Sequence, residues 1–371
     1  MAVLVAALVA FPLAGCASGS PTSMPNRTST TTVTPTPTAD PVASAPAQVF
    51  GGDCDAVLTS AEAGDAFGTS MSMWVRTAGV PRATPQDFAV SQLGGLECSW
   101  VADNQETRAE LHVFVLPATF MEPTDTTVPY CYGTDSGTEG TGSCSFNVDG
   151  SGFWLSGVAY TPLGTTNDDA LAAIETLRAQ LTLNAAAAPL FVAASAAPGS
   201  WTDKARAHCM AQLTPEEIRT GDIGACACET VANSEHVAAA LADTGITVAS
   251  GNAPGELPHG FYRALGAAGT LGCLWSEDAP TGREFEFGTD ILPGGAWVQT
   301  QLAALPGVTE VSIEGVDRAL LSSSAPGLAP GHGLDIFDGP NWLHLSMTSV
   351  WGPESYGPLA AALVAALNDA R

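Results

Sequence analysis

Two stretches of the chain carry the same succession of apolar and polar positions. The first opens Cys54-Asp55-Ala56-Val57-Leu58-Thr59-Ser60-Ala61-Glu62. The second opens Cys209-Met210-Ala211-Gln212-Leu213-Thr214-Pro215-Glu216-Glu217, and the shared pattern is C-x-A-x-L-T-x-x-E. A Thr with a Glu three residues on is a capping box, each side chain satisfying a backbone N–H at the other position. The spacing predicts a helix after Thr59 and another after Thr214. Pro215 stands at the first helical position, where its missing N–H costs nothing. Farther on, Leu111, Val113 and Val115 alternate with His112 and Phe114, the period-two signal of a strand. Leu343, Leu345 and Met347 alternate likewise, which leaves His344 out of phase on an exposed or half-buried face.

The match continues in order. Leu96-Glu97-Cys98-Ser99-Trp100 parallels Leu271-Gly272-Cys273-Leu274-Trp275, and Arg108 through Leu116-Pro117 parallels Arg283 through Leu292-Pro293. Trp154-Leu155 parallels Trp342-Leu343, and Leu171-Ala172-Ala173 parallels Leu359-Ala360-Ala361. The offset between copies grows from 155 to 175 to 188 residues, so the second copy carries insertions. Within it, Gly294–Leu305 predicts a short extra helix and Val308–Ile313 a strand. The fold class expected is α+β: two tandem related domains, each a mostly antiparallel sheet with an N-terminal and a C-terminal helix. Trp100, Trp154, Trp275 and Trp342 recur at equivalent positions, which reads as core packing rather than a sugar-binding platform.

The N-terminus has a different pattern. An uncharged apolar run, Ala2–Ala14, ends in Leu13-Ala14-Gly15-Cys16. The run matches a signal-peptide core and is too short to span a bilayer. Small residues before Cys16 suit a signal peptidase that leaves the cysteine as a lipidated first residue. Two acyl chains there would anchor the protein stably. No Lys or Arg precedes Arg27, so the α-amine is the only positive charge at this end. Residues 17–48 are nearly all Ser, Thr, Pro and Ala, which cannot bury enough surface to offset their ordering entropy. They read as a disordered stalk reaching roughly 30 Å as a coil and about 100 Å if extended. The expected organisation is therefore signal peptide 1–15, lipidated Cys and stalk 16–48, domain one 49–184, Ala/Pro linker 185–200 and domain two 201–371.

Charge and cysteines narrow the function. Acids outnumber bases 38 to 12, a net −26, which argues against nucleic acid and against attraction to anionic lipid. Nine cysteines less Cys16 leave four per copy, an even set that implies disulfides in an exported protein. The repeat suggests Cys54–Cys98 and, equivalently, Cys209–Cys273, each tying the first helix to the C-x-W strand. That leaves Cys131–Cys144 and Cys226–Cys228. Crossed pairings, with Cys209 bonded to Cys226 or Cys228, are the rival, because side chains two apart in a helix diverge. A metal or redox site at C-x-C beside His208 is a further alternative.

Catalytic patterns do not close. G-x-S-x-G, H-E-x-x-H, Walker A and S-x-x-K are absent. His332 lies in a Pro-Gly-His-Gly segment followed by Asp335 and Asp338, read as a turn before a strand. The loop Gly133–Asp149 has acids whose spacing fits no EF-hand. No catalytic residue, cofactor or metal ligand is assigned.

Lipobox, Thr/Ser/Pro tract, capped helix behind a cysteine and C-x-W strand together resemble the actinobacterial extracytoplasmic lipoproteins of unknown function. An Ala-, Gly- and Pro-rich composition fits that source. The resemblance implies a fold and an address on the outer face of the cytoplasmic membrane, not an activity. The expected function is a lipid-anchored, non-enzymatic protein that binds or senses an envelope ligand. A structural or assembly partner of another envelope protein is the alternative, with a hydrolase of unfamiliar spacing behind it. The partners expected are the membrane, through the anchor, and an unknown envelope protein or small ligand.

Overall fold

Domain one begins where the capping box requires. Glu62 N donates to Thr59 Oγ1 (3.2 Å) and Thr59 N donates to the Glu62 carboxylate (2.7 Å). Helix α1, Ser60–Phe67, starts there and ends at Gly68, whose φ of +64° favours glycine. In this computed structural model the described residues are 44–74, 83–104, 106–120, 128–133, 142–150, 152–188, 201, 208–209, 211–212, 214, 226–230, 235–242, 259–276, 286–323, 331–348 and 353–369. Cys16, the stalk up to residue 43, Glu217 and most of the expected linker lie outside them.

After α1 come β1 (Met71–Met73), a 3-10 turn (Pro85–Phe88) running into α2 (Ala89–Gln92), β2 (Leu96–Ala102) and β3 (Glu110–Pro117). Then follow β4 (Tyr130–Tyr132), β5 (Ser143–Asp149), β6 (Phe153–Tyr160) and α3 (Asn167–Ala187). Helix α3 thus takes in the first residues of the expected linker. The strands pair antiparallel in the order β1-β2-β3-β6-β5-β4. One face buries Trp100, Val113, Phe146 and Leu155 against Ile174, Leu177 and Leu181 of α3.

Domain two contains α4 (Glu235–Leu241), α5 (His259–Ala267), β7 (Leu271–Ser276), β8 (Glu286–Leu292) and a 3-10 turn (Gly295–Val298) leading into α6 (Gln299–Ala303). It continues through β9 (Val308–Val311), β10 (Arg318–Ser323), β11 (Gly331–Asp338), β12 (Asn341–Thr348) and α7 (Pro353–Asp369). Its antiparallel order is β7-β8-β12-β11-β10-β9. Without the outer strands β1 and β9, the two orders coincide, β2-β3-β6-β5-β4 matching β7-β8-β12-β11-β10. The registers coincide as well. Trp154 stands opposite Leu116, and Trp342 opposite Leu292. The protein is α+β, with two related domains in tandem. Residues 42–371 form one compact unit.

Four disulfides bind Cys54 to Cys98, Cys131 to Cys144, Cys209 to Cys226 and Cys228 to Cys273. The last two correct the expected Cys209–Cys273 and Cys226–Cys228 and match the crossed alternative. The cause is local geometry. Residues 226–230 are helical, so Cys226 and Cys228 point to different sides and reach different partners. The counterpart of Cys54 is therefore Cys228. Each sulfur lies 3.5 Å from the carbonyl oxygen that precedes the strand cysteine, Glu97 O in one domain and Gly272 O in the other. Four such bonds indicate an oxidising, non-cytoplasmic compartment. Among the described residues no helix is long and apolar enough to cross a membrane.

Candidate functional site

The face of sheet one turned away from α3 and the face of sheet two turned away from α7 are where the domains meet. The 3-10 turn Pro85–Phe88 of domain one lies on β8 and β12 of domain two, and α5 of domain two lies on β3 and β6 of domain one. These strands are equivalents, so the exchange is reciprocal. The seam has its own core, with Val90, Leu93, Phe114, Leu116 and Trp154 from one side and Phe261, Leu292, Trp297, Phe337 and Trp342 from the other. Phe88 packs edge-on against both Trp297 (5.7 Å) and Trp342 (5.5 Å). Trp297 Nε1 donates to Gln92 Oε1 across the seam at 2.6 Å.

Within this apolar contact lies a charged cluster. His344 on β12 faces Asp335 on β11 and Asp290 on β8 in direct register. His344 Nδ1 is 2.7 Å from Asp335 Oδ1, and both residues are buried, at 2% and 4% exposure. Trp342 Nε1 donates to the same Asp335 oxygen at 3.0 Å. Gln86 of domain one reaches over, its Nε2 donating to Asp290 Oδ1 at 2.5 Å. Burial alone would push His344 down, but the charge and hydrogen bond of Asp335, helped by Asp290 and Asp87, hold it above its ordinary 6.5. Burial likewise raises Asp290 above the usual 3.8, against the opposing pull of His344 and the Gln86 hydrogen bond.

The duplication supplies a built-in comparison. Where domain two has Asp290, Asp335 and His344, domain one has Phe114, Asn147 and Ser156 in the same register. The geometry survives the exchange: Trp154 Nε1 donates to Asn147 Oδ1 at 3.0 Å, as Trp342 does to Asp335. Ser156 Oγ accepts from Gly260 N of α5 at 3.2 Å. The domain-one row has no ionisable group of its own, and the charge nearest it is the Arg263 guanidinium of α5, 5.7 Å above the Trp154 ring; the domain-two row is itself ionisable.

Beside His344 is a cavity of about 30 Å³, lined by Ala83, Leu302, Leu305, Ser322, Asp335 and His344 among others. Gly333 makes room for it. A Cβ there would sit 2.8 Å from His344 Cε1 and 2.9 Å from Ser322 Oγ. The space suits water, against the several hundred Å³ of small-molecule sites.

Farther from the seam, the same face of sheet one is exposed at its β4 edge, while Ser99, Ser143 and Val158 inward of it are buried. Tyr130, Ser145, Val158, His112 and Ser99 form one cross-strand row, and Tyr132, Ser143, Tyr160 and Glu110 the next. Tyr130 and Tyr132 are 65% and 43% exposed, with rings stacked at 6.2 Å. Their strand is fixed to β5 by Cys131–Cys144, whose sulfurs lie on the other face. His112 meets Tyr160 edge-on at 6.3 Å and shares a 2.9 Å hydrogen bond with Ser99 Oγ.

Sequence reading put His332 and the following Asp335 in a turn before a strand and set His344 on an exposed or half-buried face. The structure makes 331–338 a strand and joins Asp335 to His344, which is buried because α6 of its own domain and residues 83–88 of domain one cover that face. The side chain of His332 lies outside the described residues. Cys226 and Cys228 are both in disulfides and hold no thiolate for a metal. Trp100, Trp154 and Trp342 are buried. The tyrosine pair was missed, although alternation about Cys131 was readable.

No family model matches the chain, and no curated protein matches it. Two solved structures are similar to it over 81% of its length. One is the di-domain ARO/CYC StfQ from the steffimycin biosynthetic pathway, at 12% identity over 95% of that chain with a TM-score of 0.16. The other is DynU16, from the dynemicin biosynthetic locus, at 13% identity over 98% of that chain with a TM-score of 0.13. Scores this low carry no argument about function.

Proposed function

We propose that this protein is a lipid-anchored, non-enzymatic binding protein of the cell envelope. Cys16 would tether it to the outer face of the cytoplasmic membrane, and the exposed β4 edge of the sheet-one face would hold the ligand. The observation that carries this reading is the Tyr130–Tyr132 pair, two exposed rings on an edge strand fixed by a disulfide. The rings, with half-buried Ser145 next to them and half-buried His112 and exposed Glu110 farther along the same sheet face, offer an apolar surface and hydrogen-bonding groups together. That combination suits the C–H face and hydroxyls of a neutral sugar. A net charge of −26 disfavours anionic polymers. Asp335 and His344 have the geometry of an oriented base, but the space beside them is too small for a substrate.

Two measurements test the reading. The membrane-bound protein should yield a diacylated N-terminal peptide beginning at Cys16 by mass spectrometry, and Cys16→Ala should release it from the membrane. Retention of that variant would sink the anchor. The purified protein should co-sediment with isolated actinobacterial cell walls, and Tyr130→Ala/Tyr132→Ala should weaken this by about tenfold or more with no change in melting temperature. Unchanged sedimentation of the double variant, or none by the parent protein, would overturn the sugar-face assignment in favour of an assembly role.

A further inference from the structure

We propose that His344, Asp335 and Asp290 form a proton-binding site that ties the two domains together, so that the seam is tight when the site holds its proton and loosens when the proton leaves. The site is separate from the tyrosine face. Three observations carry the inference. The groups sit in one cross-strand row on adjacent strands of domain two, directly beneath Gln86 of domain one. The equivalent row of domain one, Phe114, Asn147 and Ser156, keeps the same indole hydrogen bond with no ionisable group in the row, Arg263 lying over the Trp154 ring instead. Packing at the seam therefore does not require the ionisable set. The cavity beside His344 is water-sized, so the site can exchange protons but cannot admit a larger ligand.

The described groups that face His344 fix the sign. Asp335 comes from β11, Asp290 from β8 and Asp87 from the 3-10 turn of domain one. Neutral Gln86 and Ser322 and apolar Leu302 and Leu305 stand on the remaining sides. With the imidazole protonated, one cation holds carboxylates belonging to both domains. Without it, Asp87 on one side opposes Asp290 and Asp335 on the other. His344 and Asp290 both bind protons more readily in the folded protein than in the unfolded chain. The contribution of His344 is present below the ordinary imidazole value of 6.5 and is lost as pH rises above it, whereas that of Asp290 is present below the ordinary carboxylate value of 3.8 and is lost as pH rises above that.

The direct test is an NMR titration of His344 Hε1 in the intact protein, with the melting temperature followed from about pH 5 to about pH 9. The imidazole should titrate above 6.5, and the melting temperature should fall by a few degrees across the same interval. A variant carrying the domain-one set, Asp290→Phe with Asp335→Asn and His344→Ser, should lose that slope. His344→Gln alone provides the same comparison if the triple change does not fold. Titration of His344 at or below 6.5, a wild-type melting temperature that does not fall over that interval, or an unchanged slope in a folded variant would overturn the proposal.

Discussion

Trp342→Ala is expected to cost about 3–5 kcal/mol of unfolding free energy, among the largest single-residue losses in the molecule. The indole is fully buried in the seam, edge-on to Phe88 and stacked with Phe337 at 6.2 Å. Truncation removes this packing and takes from buried Asp335 one of its two hydrogen-bond partners. Trp342→Phe separates the two effects. It keeps most of the apolar volume, so its cost, about 1–3 kcal/mol, reports the unsatisfied carboxylate. The same pair of changes at Trp154 should cost less at the phenylalanine step, because its partner is neutral Asn147. Urea denaturation measures all four. A Trp342→Ala loss below about 1 kcal/mol would mean that the seam core is not packed as described.

The disulfides give the second large effect. Removing the Cys228–Cys273 bridge by a paired change to serine should cost about 4 kcal/mol in the chain-entropy model, for a separation of 45 residues. Removing Cys209–Cys226, with a separation of 17, should cost about 3 kcal/mol. Either amount is a large share of a domain's net stability. Single changes test the connectivity itself. Cys209→Ser should leave a free thiol at Cys226, detected by labelling under non-reducing conditions. A free thiol at Cys273 in that variant would restore the pairing that the repeat suggests.

That contrast shows where the sequence is legible. The capping box at Thr59 and Glu62 is a local device, and local spacing suffices to find the helix. The repeated C-x-W, Leu-Pro and Trp-Leu motifs mark strands, but the placing of β6 beside β3 and of β12 beside β8 is a long-range pairing that local spacing does not carry. The C-x-A-x-L-T-x-x-E match misleads at one point. It aligns Cys209 with Cys54, whereas Cys228 fills the place of Cys54, and the helical setting of Cys226 and Cys228 is set by tertiary structure. His344 shows a second limit. Period-two alternation assigns a residue to a face but does not say what covers that face. Burial of His344 depends on Leu302 and Leu305 at α6 of its own domain and on residues 83–88 of domain one, more than 250 positions away in sequence. The buried cluster became visible only when the two sheets were seen to share a seam.

The reciprocal laying of Pro85–Phe88 on sheet two and α5 on sheet one has a consequence for how such a molecule arises. A single copy of this domain meeting another would make the same exchange twice about a two-fold axis, the isologous arrangement of a homodimer. In that state every substitution appears on both sides at once, and a charged trio would be installed in duplicate. Joining two copies in one chain lifts the constraint. Each half can then drift alone, one retaining a plain contact while the other acquires chemistry that a symmetric pair has no means of confining to one side.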